Sequence, residues 1–285
     1  MIGAHHDIKI TEVGPRDGLQ NHTLNVPTDR KIAFIDALSA TGVCSIEVTA
    51  FVNPSVIPFL ADAQEVMGGI TRNPEVTYSA LVPNERGLER ALTAGVTKIA
   101  LFTSASETFC KKNINATIQE SIARFAPVVA CCQNEGVAVR AYISCLTHCP
   151  YEGRIAPDRV VEVAESLSLL GEIELDLGET IGQGTPDDVA LALEAVGRRF
   201  PLEEVVLHLH DTSGHAAASI QRALAMGVMK FDGAVGGLGG CPFAPGAAGN
   251  VSTQVLAGVL EAAGYSTGID CDLLDAAYRD LITAI

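Results

Sequence analysis

The stretch His208-Leu209-His210-Asp211-Thr212 follows the apolar run Val205-Val206-Leu207, with Pro201-Leu202-Glu203-Glu204 before it and Gly214 behind it. A short β-branched run bounded in this way reads as a buried strand that ends in a loop. Side chains alternate along a strand, so His208 and His210 share one face. Two imidazoles together at a strand end can bind one divalent metal if a carboxylate or amide from elsewhere completes the set. The same pair could also be two histidines at a core edge, and the rest of the chain decides between these readings.

Outward from this strand, the apolar spacing alternates between the two regular periods. Toward the N-terminus it predicts helix Pro186 to Phe200, strand Ile173 to Leu177, helix Pro157 to Leu170, strand Val137 to Ser144, helix Thr117 to Glu135 and strand Lys98 to Phe102. Earlier still come helix Asn84 to Ala94, strand Val76 to Val82, helix Pro58 to Gly68, strand Cys44 to Val48, helix Pro27 to Thr41 and the first strand, Ile8 to Val13. On the other side, Gly214 to Met226 is helical and Met229 to Val235 is the eighth strand. Long loops follow Phe102, reaching Asn115, and Ser144, running through Cys149-Pro150-Tyr151-Glu152-Gly153. Strict alternation implies a parallel sheet. Eight repeats in 285 residues predict a closed (β/α)8 barrel rather than two doubly wound domains. One catalytic barrel is expected over residues 1–285, with C-terminal helices from about 253 to 285 packed on it.

The composition, rich in Ala, Val, Leu and Gly and without Trp, suits a large, tightly packed core. The net charge of −15 argues against nucleic acid or an anionic membrane as partner, since both need a basic face. An anionic ligand must then be met locally, by a metal, Arg16 or Lys111-Lys112. No apolar run approaches the roughly 20 residues of a membrane span, and Met1 to Asp7 lack the apolar core of a signal peptide, so a cytoplasmic protein is expected. The eight cysteines show no C-x-x-C spacing, and Cys131-Cys132 are too close for an ordinary bridge. They read as small buried apolar residues, with Cys145, His148 and Cys149 a weak ligand pattern.

In barrels of this kind the catalytic groups sit at the C-terminal strand ends. Unusual polar residues recur at that place here. Arg16, Asp17 and Gln20 follow the first strand, which carries Glu12. The second holds Glu47 and Thr49, and Gly178-Glu179-Thr180 follow the sixth. Asp17 is the natural third metal ligand, and Asn250 could lend an amide oxygen or cap a helix. Two imidazoles with oxygen donors and open positions suit Mg2+ or Mn2+ better than a closed structural zinc. After the eighth strand, residues 233–249 hold seven glycines and no charge, in a spacing unlike a dinucleotide fingerprint. This stretch reads as a mobile lid, with Cys241 as a proton donor or nucleophile.

Several segments together resemble the 3-hydroxy-3-methylglutaryl-CoA lyase family: Glu12-Val13-Gly14-Pro15-Arg16-Asp17-Gly18-Leu19-Gln20-Asn21, Ala105-Ser106-Glu107 with Lys111-Lys112-Asn113-Ile114-Asn115, Cys149-Pro150-Tyr151-Glu152-Gly153, His208-Leu209-His210-Asp211-Thr212 and Gly237-Leu238-Gly239-Gly240-Cys241-Pro242. The resemblance implies metal ligands at Asp17, His208, His210 and Asn250, a catalytic arginine at Arg16 and a lid cysteine at Cys241. It implies a retro-Claisen cleavage of an acyl-CoA to acetoacetate and acetyl-CoA, and a homodimer. Glu47 and Glu12 are then expected to orient Arg16 and the metal set. Gln20, Glu179 and Thr180 are expected at the substrate, and Lys111 and Lys112 near the CoA phosphates. Metal-dependent barrels such as isopropylmalate synthase share the metal site but not the cysteine loop. Three positions depart from the family pattern: Glu179 and Gln254, where Asp and an acidic residue are expected, and His22, where Glu is expected. They leave room for a related lyase or condensing enzyme with another acyl chain. A silent barrel that binds metal or acyl-CoA without turnover is the alternative outside enzymes.

Overall fold

The computed structural model describes residues 8–20, 26–239 and 249–283. Eight parallel strands close a barrel: β1 (Lys9–Glu12), β2 (Ser45–Ala50), β3 (Thr77–Leu81), β4 (Lys98–Ser104), β5 (Ala138–Ser144), β8 (Glu174–Glu179), β9 (Val206–Leu209) and β10 (Lys230–Gly233). Each pairs with its sequence neighbours, and β1 closes the ring on β10. The helices between them form the outer layer: α1 (Thr28–Leu38), α2 (Ala63–Gly69), α3 (Glu85–Thr93), α4 (Glu107–Ile114), α5 (Ile118–Glu135), α6 (Pro157–Ser168), α7 (Pro186–Gly197) and α8 (Ala216–Met226). Two more, α9 (Thr253–Ala262) and α10 (Cys271–Thr283), follow the last strand, and α10 packs on α1. The (β/α)8 barrel read from the sequence is the fold. No described helix is long and apolar enough to cross a membrane.

Four local expectations change. The loop expected between Phe102 and Asn115 contains α4, capped by Ser106, whose hydroxyl accepts from the Phe109 N–H (3.1 Å), and ended by Asn115 in the left-handed region (φ 50°). The second loop carries a short antiparallel hairpin, β6 (His148–Cys149) with β7 (Gly153–Arg154). The helix expected from Pro58 to Gly68 divides into a turn, Pro58–Leu60, and α2. Asp62, between them, turns its carboxylate to Lys31 (2.8 Å) and Thr28 (2.8 Å) instead of capping the helix. The strand expected to end at Leu177 runs on as β8 to Glu179, because Gly178 and Glu179 pair with His208 and Leu209.

The core has two layers of different character. Outward-facing strand residues such as Ile10, Ile46, Leu101, Ile143, Leu207 and Phe231 are buried against the helices. The interior of the barrel is charged where bulky aliphatics are usual. Arg140 reaches Glu174 (2.9 Å), Asp176 (3.2 Å), Asp232 (2.9 Å) and the Thr11 hydroxyl (3.0 Å), while Lys98 (2.6 Å) and Lys230 (3.0 Å) also close on Glu174. The apolar core inferred from composition is thus the outer layer only. The signal was present: Arg140, Tyr142 and Ser144, Glu174 and Asp176, and Lys230 and Asp232 occupy alternate positions. Parallel strands buried on both faces normally read as continuous apolar runs.

Candidate active site

The C-terminal mouth of the barrel opens into a cavity of about 610 Å³ whose floor includes Arg16, Asp17, Tyr142, His208 and His210. That is the size of a small-molecule site. Arg16 and Asp17 leave β1 in the turn Gly14–Gly18, a widened helical turn in which the N–H groups of Arg16, Asp17 and Gly18 all donate to the Val13 carbonyl (3.2, 2.8 and 3.3 Å). One-turn widenings of this kind concentrate at functional sites. Here the turn sets the two side chains next to each other on the rim.

Arg16 is buried, with Nε 2.8 Å and Nη2 2.6 Å from Glu47 Oε2, and Nη1 2.5 Å from Asp17 Oδ1. Burial alone would favour the neutral guanidine, but Glu47 and Asp17 outweigh it and hold Arg16 firmly charged. The guanidinium carbon lies 5.2 Å from the centre of the Tyr142 ring, and the Tyr142 hydroxyl donates to Glu47 (2.8 Å). Glu47 thus holds the Arg16 guanidinium at two of its nitrogens. Asp17 Oδ1 also accepts from Gln20 Nε2 (2.9 Å), and Oδ2 from Asn250 Nδ2 (2.8 Å). Burial opposes its charge, but Arg16 and the two histidines hold the carboxyl below the usual range.

Asn250 comes from far along the chain, and backbone pairing brings it in. The segment around it bridges His210, with Asp211 N–H donating to Gly249 (2.9 Å) and Val251 N–H to Leu209 (2.9 Å). Gly239 makes room for this approach. It sits at φ +103°, and a Cβ there would lie 2.8 Å from Asn250 Nδ2.

Asp17, His208 and His210 each bring a ligand atom to within 4.8 Å of the others. Asn250 Oδ1 and His210 Nδ1 are buried without a hydrogen-bond partner among the described residues. Burial and the neighbouring His208 push the His210 imidazole down to about 4, so it is neutral with a lone pair free at pH 7. A carboxylate, two imidazoles and an unmatched amide oxygen make a donor set that fits a divalent cation. A second cluster, Asp176, His208 and Asp232, meets the same spacing, but the Arg140 guanidinium already lies against both carboxylates.

The remaining expected residues divide. Gln20 and Thr180 line the cavity, as does Lys112, whose Nζ lies 4.5 Å from the centre of the Tyr151 ring. Lys111 does not line it. Glu179 faces away, as strand alternation requires for the neighbour of Gly178, and accepts from Thr147 (2.7 Å) and the Gly184 N–H (3.2 Å). Gln254 lies outside the lining too. It accepts from the Gly236 N–H (3.0 Å) and donates to Asp275 on α10 (2.8 Å). Cys145, His148 and Cys149 form no ligand cluster: Cys149 Sγ meets Ser106 Oγ (3.0 Å) and His148 meets Thr147 (3.1 Å). The seven described cysteines are unbridged. Cys241 and His22 lie outside the described residues. The site also gains Tyr142 and Asp232, which sequence reasoning missed although both sit at the alternate polar positions noted above.

Glu12 orients neither Arg16 nor the metal set. It points outward, accepting from Gly14 N–H (2.8 Å), Val235 N–H (3.0 Å) and the Thr253 hydroxyl (2.6 Å), so it ties β1 to the start of the glycine-rich stretch and to α9. Burial outweighs these three donors and pushes its carboxyl from 4.5 up to about 7. A carboxyl raised in the folded state contributes stability that is full below its unfolded value and is lost as pH rises through the folded one. Relative to Glu12→Gln, the wild type is expected to lose on the order of 3 kcal/mol between about pH 5 and about pH 8. Denaturant midpoints of both proteins check this; a constant difference across that range would contradict it.

Fold and site together define a (β/α)8 barrel whose C-terminal mouth carries an oxygen and nitrogen donor set beside a buried, firmly charged arginine. The chain belongs to the HMGL-like family, whose profile matches residues 7–280. It is 51% identical over 270 residues to the cytoplasmic 3-hydroxy-3-methylglutaryl-CoA lyase of Rattus norvegicus, covering 95% of this chain and 79% of that one. The crystal structure of the HMG-CoA lyase from Brucella melitensis superposes with a TM-score of 0.95 at 49% identity, covering 97% of this chain and 98% of that one. An HMG-CoA lyase from Acinetobacter baumannii, solved with coenzyme A and 3-methylmalate, superposes with a TM-score of 0.94 at 37% identity, covering 100% of this chain and 93% of that one.

Proposed function

We propose that this protein is a divalent-metal-dependent lyase that cleaves 3-hydroxy-3-methylglutaryl-CoA to acetoacetate and acetyl-CoA. The observation that carries this reading is the convergence of Arg16, Asp17, His208 and His210 on one cavity floor, with Asn250 hydrogen-bonded to Asp17. In the reaction the 3-hydroxyl loses its proton and the C2–C3 bond breaks. Its electron pair becomes the enolate of the acetyl thioester, and a proton returns to C2. Asp17, His208, His210 and Asn250 would hold Mg2+ or Mn2+, which lowers the pKa of a bound hydroxyl and polarises carbonyl oxygens.

Arg16 meets the thioester oxygen as negative charge develops there. Because Glu47 and Asp17 already fix its fork, little reorganisation is needed at that moment. Cys241, which lies outside the described residues, is the expected donor of the proton that returns to C2. Gln20 holds Asp17, Thr180 faces the substrate, and Lys112 at the cavity wall meets the anionic CoA. We place the protein in the cytoplasm, the compartment in the names of its rat and mouse relatives, and expect a homodimer.

Substrate scope tests the assignment. With purified protein and Mg2+, kcat/KM is expected to be highest for the 3-methyl substrate and to fall as the 3-alkyl group lengthens. A preference of tenfold or more for a longer chain would move the reading to a related lyase, and binding without turnover of any of them would make the barrel a silent one.

A further inference from the structure

We infer that Asp232 is a positioning residue for the metal centre: its carboxylate fixes the ring of His208 so that Nδ1 carries the proton and Nε2 is left for the cation. This rests on the metal-dependent reading above. The two residues are register partners on β10 and β9, so their side chains rise side by side on the inner face of the barrel. Asp232 Oδ2 lies 3.2 Å from His208 Nδ1. The same carboxylate accepts from Arg140 Nη1 at Oδ1 (2.9 Å), and the Tyr142 hydroxyl, whose proton goes to Glu47 (2.8 Å), lies 3.4 Å from Oδ2.

A carboxylate held by a guanidinium acts as an acceptor, which assigns the hydrogen to Nδ1 of the imidazole it meets. The Tyr142 ring stands edge-on to the imidazole, with centroids 6.0 Å apart at 87°, and limits its rotation. Arg140 is itself fixed by Glu174 and Thr11, so the orientation of His208 is anchored in the lower half of the barrel. His210 has no such partner among the described residues, where its Nδ1 is buried and unmatched. Among the described residues, His208 is the imidazole of the two that a carboxylate aims. Partners of this kind orient metal-ligating histidines, and their loss typically costs about 10–100-fold in metal affinity.

Two measurements test the inference, and both read the metal site rather than turnover. Calorimetric titration of the metal-free protein with Mn2+ is expected to show about 10–100-fold weaker binding in Asp232→Asn than in the wild type. In the Mg2+-loaded wild type, imidazole 15N spectra, with His208 assigned by its absence in His208→Gln, are expected to show His208 protonated at Nδ1 alone. Equal Mn2+ affinity in a folded Asp232→Asn, or a His208 protonated at Nε2, would overturn the positioning role and leave the lyase reading standing. Absence of metal binding in the wild type would overturn both. If Asp232→Asn does not fold, the wild-type 15N spectrum decides alone.

Discussion

Arg16→Lys is expected to lower kcat by at least about 10²–10³-fold while changing Mn2+ affinity by only a few fold. Lysine keeps the charge but not the fork. Arg16 spends Nε and Nη2 on Glu47 and Nη1 on Asp17, and still presents a planar cation to the cavity. A single ammonium cannot span both carboxylates and also face a thioester oxygen. The loss belongs to kcat because the interaction strengthens only as negative charge develops. Steady-state kinetics on 3-hydroxy-3-methylglutaryl-CoA check it. An unchanged kcat, or a loss confined to KM, would remove Arg16 from charge stabilisation.

Asp17→Ala is expected to abolish detectable metal-dependent turnover and to weaken Mn2+ binding beyond calorimetric detection. Asp17 is the one carboxylate in the set, and it also accepts from Arg16, Gln20 and Asn250. Its loss removes a ligand and releases three groups that frame the site. Circular dichroism and a thermal melt separate this from unfolding, because Asp17 belongs to the rim turn rather than to a barrel strand. Metal affinity retained in a folded Asp17→Ala would take Asp17 out of the ligand set.

The alternation of strand and helix was legible because each period marks itself locally, and so was the shared face of His208 and His210. Asp17 could be paired with them since barrel topology sends every strand end to one rim. Glu12 and Glu179 went astray for one reason: each belongs to a strand and takes the outward parity, whereas the sequence reading treated it as rim chemistry. Counting alternation from Thr11 and Asp176 would have turned both away from the site. The column of Lys98, Arg140, Glu174, Asp176 and Asp232 was visible as polar residues at alternate positions. Its pairings were not, because Arg140 meets Asp232 across 92 residues of chain. Asn250 could be read as a helix cap or a ligand; only its backbone pairing with the His210 segment makes the second role available.

The most direct measurement is the release of acetoacetate from 3-hydroxy-3-methylglutaryl-CoA by the purified protein, before chelation, after chelation, and after Mg2+ or Mn2+ is restored. Acetoacetate and acetyl-CoA are expected in equal amounts, falling to background with chelator and returning with either ion. Metal bound at Asp17, His208 and His210 with no product formed, or release that chelation leaves untouched, would contradict a metal-dependent lyase.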